Sequence, residues 1–311
     1  MGAYFQAPEK DPMQAALLPE RGVVKVAGDD TRHFLNGLAT TDMAKVAPGR
    51  ARFGALLTPQ GKIVVDFLVV EALPEDGSGF FLDCPKPLVQ PLVEKLTFYR
   101  LRAKVTIEDL SDRLGVMAYW GGKADGAASE YGLCYADPRL PGLGMRIIVP
   151  PELATETAAD LGAALVDAEV YDAHRIALGV PRGGQDFTYL DAFPHEADMD
   201  QLAGVDFDKG CYVGQEVVSR VEHRSTARSR VVPIVYDDGA PMQGMPVAMG
   251  DKYIGTVGST AQGKGLALLR LDRVADALAS ATPLTAGGVP IRPVKPSWGT
   301  FAWPGEEKTS S

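Results

Sequence analysis

With 311 residues, 46% of them apolar and 23% charged, the chain has the composition of a soluble globular protein large enough for two or three domains. A formal net charge of −9 excludes a global electrostatic affinity for nucleic acid. Three cysteines, at positions 84, 134 and 211 with no Cys-x-x-Cys, exclude a disulfide framework and a self-contained metal or cluster site, and they fit a reducing compartment.

Residues 1–20 carry Pro8, Pro12 and Pro19 and are expected to wander over the surface. Met1 to Pro19 has no basic stretch followed by an apolar core, so no signal peptide is expected. No apolar run approaches the roughly 20 residues of a membrane helix. Val23 to Val26 reads as a strand, and Gly28-Asp29-Asp30 as the cap of a helix carrying His33, Phe34, Leu35 and Leu38. Phe53 to Leu57 and Ile63 to Val70 read as strands joined by the turn Thr58-Pro59-Gln60-Gly61. Phe80 to Leu82 is a further strand, Pro87 to Tyr99 a helix, and Val105 to Leu110 a strand again.

In the middle, Leu114 to Tyr119 and Met145 to Val149 read as strands, Glu152 to Leu165 as a helix, and Asp172 to Leu178 as a helix closed by Gly179 and Pro181. From Arg230 on, short strands over Val231 to Tyr236, Met245 to Met249, Tyr253 to Ser259, Gly265 to Leu271 and Val289 to Pro293 alternate with Gly, Pro and Asp turns. This texture predicts a small β-barrel or sandwich. The whole is expected to be α+β in layers rather than a doubly wound parallel sheet. Its expected divisions are 1–228, with subdomains near 21–110 and 111–228, a barrel over 229–304, and a disordered tail over 305–311.

The densest chemistry lies in Asp208-Lys209-Gly210-Cys211-Tyr212-Val213-Gly214-Gln215-Glu216. Cys211 is its one good nucleophile, and Lys209, two positions away, is a cation that would favour thiolate. Gly210 and Gly214 permit a sharp turn or a close approach. The spacing of Val217, Val218 and Val221, with Glu216 and Arg220 at i,i+4, predicts a helix from about Gly214. The plain alternative is that Cys211 is a small buried residue in a tight loop. His195 and His223 stand 16 and 12 residues from Cys211, so a Cys–His nucleophilic pair is a further reading. Arg220, Arg224, Arg228 and Arg230 fall within 11 residues and read as a solvated face or as a seat for an acidic ligand tail or partner.

The string resembles the Lys-Gly-Cys-Tyr-x-Gly-Gln-Glu signature of the folate-binding YgfZ family, iron–sulfur cluster assembly or repair factors related to the glycine-cleavage T-protein, an aminomethyltransferase. The likeness extends to Gly28-Asp29-Asp30, Phe34-Leu35, Thr40 and Asp42, to Thr58-Pro59-Gln60-Gly61-Lys62 with Asp66, to His174-Arg175-Ile176 with Gly179 and Pro181, and to Pro194, Glu196 and Asp200. It implies a cloverleaf of mixed α/β domains around a central folate cavity, completed by a C-terminal β-barrel. It also implies Cys211 and Lys209 as the reactive pair. A tetrahydrofolate site is implied too, drawing on Asp66, Arg175, Tyr212, Gln215, Glu216 and Glu196, with Phe53, Phe67, Tyr189 and Phe193 as possible slot walls or plain core. Two carboxylates of a T-protein are absent: Val65 precedes Asp66 where a second aspartate would stand, and Ala177 stands where a glutamate would. Both would serve aminomethyl transfer, so an accessory protein for iron–sulfur enzymes is the expectation and a one-carbon transferase the alternative. The remaining expectations are partners among assembly proteins or client enzymes, no membrane, a monomer, and a bacterial cytoplasm or a mitochondrial matrix.

Overall fold

The computed structural model describes residues 12–122, 126, 128–224 and 227–305. Strand β1 (Gln14–Leu17) is followed by β2 (Arg21–Ala27), the short helix α1 (Thr31–Asn36), the hairpin strands β3 (Arg52–Leu57) and β4 (Ile63–Glu71), then β5 (Phe80–Pro85), α2 (Val89–Arg100) and β6 (Thr106–Asp109). The middle supplies β7 (Gly115–Trp120), β8 (Leu133–Ala136), β9 (Met145–Val149), α3 (Ala154–Asp160), β10 (Ala164–Leu165) and α4 (Ala168–Leu178). A long irregular stretch leads into α5 (Gln215–Arg224). The last third holds β11 (Ser229–Val235), β12 (Pro246–Met249), β13 (Lys252–Ala261), β14 (Lys264–Arg270), α6 (Leu271–Ala279), β15 (Leu284–Ala286) and β16 (Val289–Pro293).

These strands form two five-stranded sheets, ordered β3-β4-β5-β2-β6 and β10-β1-β7-β9-β8, and a closed barrel β11-β14-β13-β12-β15-β16. The period-2 alternation of the strands sends side chains to two different cores. From β4, Val65, Phe67 and Val69 pack with Phe34 and Leu35 of α1 and Leu92 and Leu96 of α2, whereas Leu68 and Val70 face the opposite way. There they meet Val116, Ala118, Trp120 and Tyr135 of the second sheet, which turns Met117, Tyr119 and Ile147 outward onto α3. The result is two sheets stacked across a shared core, with helices on the outer faces. Asp66 has the parity of Leu68 and Val70, so it points into the shared layer.

Polar side chains also enter that layer and are paired there. Asp83, wholly buried, accepts from Arg21 Nε at 2.5 Å and from the Tyr135 hydroxyl at 3.1 Å. Asp137 accepts from Arg139 and Arg146, and the two guanidinium groups hold its carboxyl well below the usual carboxylate range despite its burial.

Several expectations need correction. Met13 to Leu18 do not wander: β1 lies inside the second sheet, next to its β10 edge, pairing with β7 and, in the one parallel ladder between named strands, with β10. Asp30 does not cap α1 through its side chain; its carboxylate accepts from Lys104 N at 2.7 Å instead. The helix expected over Glu152 to Leu165 is α3 alone, and Ala164 and Leu165 leave it to form β10. Strand β8, helix α6 and strand β15 arise where none is expected. The expected tail lies, after Gly305, outside the described residues. No helix among the described residues is long and apolar enough to cross a membrane.

Candidate functional site

The cysteine loop is pinned to the first sheet at both ends. At its start, Lys209 is buried and its ammonium donates to Asn36 O and Ala39 O, each at 2.6 Å. These are carbonyls at the end of α1 and just past it, which have no intrahelical donor. The ammonium also lies 4.9 Å from the ring centre of Tyr212. Burial pulls the Lys209 pKa down to about 8. Among the described residues Lys209 makes no hydrogen bond to Cys211. The expected cation for the thiolate is therefore an anchor of the loop.

At the loop's far end, Gly214 adopts φ +84°, and a Cβ there would come within 2.6 Å of Thr58 O and 3.2 Å of Gly61 Cα. Only glycine fits that contact with the β3–β4 turn. Gly210 differs: a Cβ there would meet nothing within 4 Å. Gln215 starts α5, and its side chain accepts from Tyr212 N at 3.3 Å, closing the loop as a cap. Tyr212 is core, with its hydroxyl pKa pushed up to about 12 by burial.

Between these anchors Cys211 is exposed, and its sulfur has no hydrogen-bond partner among the described residues. The other two cysteines are chemically quieter. Burial pushes the Cys84 thiol up to about 12, and half-buried Cys134 is also raised by desolvation. No histidine bonds to Cys211: His195 Nε2 lies 3.0 Å from Glu222 Oε2, and the Cys–His pair is not assembled.

The residues assigned to a folate scatter. Asp66 is buried, and its Oδ1 accepts from the Tyr189 hydroxyl, while Oδ2 accepts from no protein donor among the described residues. Arg175 is 3% exposed and fully engaged: Nε bonds Asp172, Nη1 bonds Val180 O and Asp186, and Nη2 bonds Ser259 Oγ of the barrel, each at 2.8 Å. It fastens α4 to the barrel and keeps no donor for a ligand. Glu216 is exposed and pairs with Arg220 at 2.6 Å, a surface contact of little energetic weight. Glu196 accepts from Phe193 N at 2.9 Å, and burial raises its pKa. With Lys62, Asp186, Phe187 and Tyr253, Glu196 lines a cavity of about 380 Å³ beside the barrel.

Of the aromatic slot candidates, Phe67 faces α1 and α2, Phe53 and Tyr189 line the shared layer, and Phe193 lies 3.8 Å beneath the Lys62 ammonium. Within the arginine run, Arg230 is not a solvated face. It is buried and bonds Asp198 and both oxygens of Asp200. The partners missed by sequence reasoning are backbone carbonyls and residues far along the chain. The one available signal was the i,i+4 spacing from Val218, which is buried, to Glu222 on α5, and it marks only a helix face.

Residues 20–131 match the GCVT N-terminal domain and residues 228–301 the CAF17 C-terminal beta-barrel domain. The fold is that of the glycine cleavage system aminomethyltransferase T from Bartonella henselae, with a TM-score of 0.73, 15% identity, and coverage of 94% of this chain and 88% of that one. The mitochondrial iron–sulfur cluster assembly factor IBA57 homolog of Mycosarcoma maydis is 34% identical over 230 residues, which is 71% of this chain but only 57% of that protein's length. The mitochondrial iron–sulfur cluster assembly factor IBA57 of Homo sapiens is 32% identical over 261 residues, 77% of this chain and 72% of that protein. The relatives are thus IBA57 proteins, which narrows the resemblance to the wider YgfZ group, and the chain belongs to the IBA57 family of iron–sulfur cluster assembly factors.

Proposed function

We propose that this chain is an accessory factor for the assembly or repair of iron–sulfur enzymes, acting through Cys211. One observation carries the reading. In a chain of this family, the single exposed cysteine projects without a partner from a loop held by its signature neighbours Lys209, Tyr212, Gly214 and Gln215. A thiolate in that setting is a soft ligand for cluster iron or a carrier of persulfide. A cluster wants about four thiolates, so the others come from a partner assembly protein, from a client enzyme or from small thiols. The family's membership of the YgfZ group, and a reducing compartment such as the mitochondrial matrix or a bacterial cytoplasm, belong to the same reading.

Tetrahydrofolate is the small molecule this reading includes. In this reading Asp66, whose Oδ2 accepts from no protein donor among the described residues, would meet the amino edge of a pterin. Arg175, Gln215 and Tyr212 support the frame instead. Aminomethyl transfer is disfavoured by Val65 and Ala177, which stand where carboxylates are needed.

The test is complementation of cells lacking the gene, assayed by the activity of a cluster-dependent enzyme. Cys211→Ala should fold normally, by circular dichroism and thermal midpoint, and give no rescue. Full rescue by the folded variant would sink the thiol's role. Separately, a calorimetric titration with tetrahydrofolate that shows no heat in wild-type protein would remove the folate from the reading and leave the thiol standing.

A further inference from the structure

Three ligating side chains converge from separate parts of the chain. His195 and Asp200 come from the irregular stretch before the cysteine loop, and Glu222 comes from the last turns of α5. One donor atom from each lies within 4.8 Å of the others, and His195 Nε2 and Glu222 Oε2 are 3.0 Å apart. All three line a cavity of about 320 Å³ together with Arg230, Leu271, Thr300 and Phe301. We propose that His195, Asp200 and Glu222 bind a divalent first-row transition-metal ion, with open coordination positions facing this cavity.

The distances suit such an ion. Metal–nitrogen and metal–oxygen bonds of ~2.0–2.2 Å place neighbouring ligand atoms on one ion roughly 3–3.5 Å apart. The His195–Glu222 pair is already there, and Glu222, with its side chain 45% exposed, has room to adjust. The donor set of one imidazole and two carboxylates suits zinc, ferrous iron or manganese and does not suit a thiophilic ion.

Two further observations point the same way. His195 is 3% exposed, yet its Nδ1 has no partner. A buried polar atom without a partner costs about 1–3 kcal/mol. Nε2 donates its proton to the Glu222 carboxylate, and an ion taking the place of that proton would leave the ring N–H on Nδ1, which no protein group claims. Asp200 is held by Arg230 at 2.8 and 2.9 Å and by Gln201 Nε2 at 2.9 Å, the kind of outer contact that orients a ligating carboxylate. Because Glu222 belongs to the helix that follows the cysteine loop, the ion would tie α5 to the turn over 194–201.

Cobalt(II) titration of the full chain carrying Cys211→Ser, followed by visible absorption, tests the site without the exposed thiol. One cobalt per chain is expected, with ligand-field bands and no sulfur-to-metal charge transfer, displaced by zinc. Glu222→Ala alters an exposed residue and should leave the fold intact. It should weaken cobalt binding at least ~10-fold and abolish any metal-induced rise in the thermal midpoint. Absence of stoichiometric binding, or equal binding by Glu222→Ala, would mean that His195 and Glu222 form only a hydrogen-bonded pair and would overturn the proposal.

Discussion

Beneath the barrel, Arg175 directs each of its three nitrogens to protein acceptors; in the signature loop, Cys211 meets none. Both residues invite a ligand when the sequence alone is read. The difference lies in what surrounds them. Around Arg175, Asp172, Asp186, Val180 and Ser259 all turn inward, and a charge that is fully paired has become a fastener. Around Cys211, the lysine, tyrosine, glutamine and second glycine are each spent on neighbouring backbone or on one another, and the sulfur alone is left free. What distinguishes the two residues is the availability of a partner, not the amount of charge.

The contrast is broken most forcefully at the fastener. Arg175→Ala strands Asp186, whose side chain is wholly buried, without its counter-charge. A loss of ~3–5 kcal/mol is expected in urea or thermal unfolding. Next come the two glycines of the loop. Gly214→Ala must take a left-handed backbone against Thr58 O and should cost about 1–3 kcal/mol, whereas Gly210→Ala, with open space around it, should change stability by less than ~0.5 kcal/mol. Equal effects in denaturation midpoints would contradict the pinned loop.

The last effect is a pH dependence. The folded-state pKa of Lys209 is about 8, against 10.5 ordinarily. Between these values the unfolded chain keeps a proton that the folded chain has released, so stability should rise as pH climbs from 8 toward 10.5. Lys209→Met should flatten that part of the stability–pH curve. An unchanged curve would mean that the ammonium is not buried as described.

Local signals were enough for the β3–β4 hairpin, for α4 with its Gly179 end and for α5, because turn residues and helical spacing decide those elements within a few positions. Strand β1 was not legible. Its four residues follow a proline-rich start, and its partners on β7 lie about a hundred residues on. Helix α6 does carry a signal in buried Leu271, Val274 and Ala277, but it begins directly where β14 ends, with no turn residue between them to announce the change of period. In the site, Cys211 was legible because its neighbours form a dense polar string. The use of Lys209 was not, because its acceptors are main-chain oxygens about 170 positions earlier, which no side-chain pattern records.

Gly61 and Gly214 meet almost backbone to backbone, and Val217 of α5 rests on the same turn. A joint built that way has no side chain to act as a cushion. Tilting the hairpin tip must carry the sulfur with it, and Lys62, which walls the cavity by the barrel, is the next residue along that tip. A probe attached to Cys211 would thus report movement of the hairpin, making the thiol a natural gauge for whatever presses on the far end of the lever.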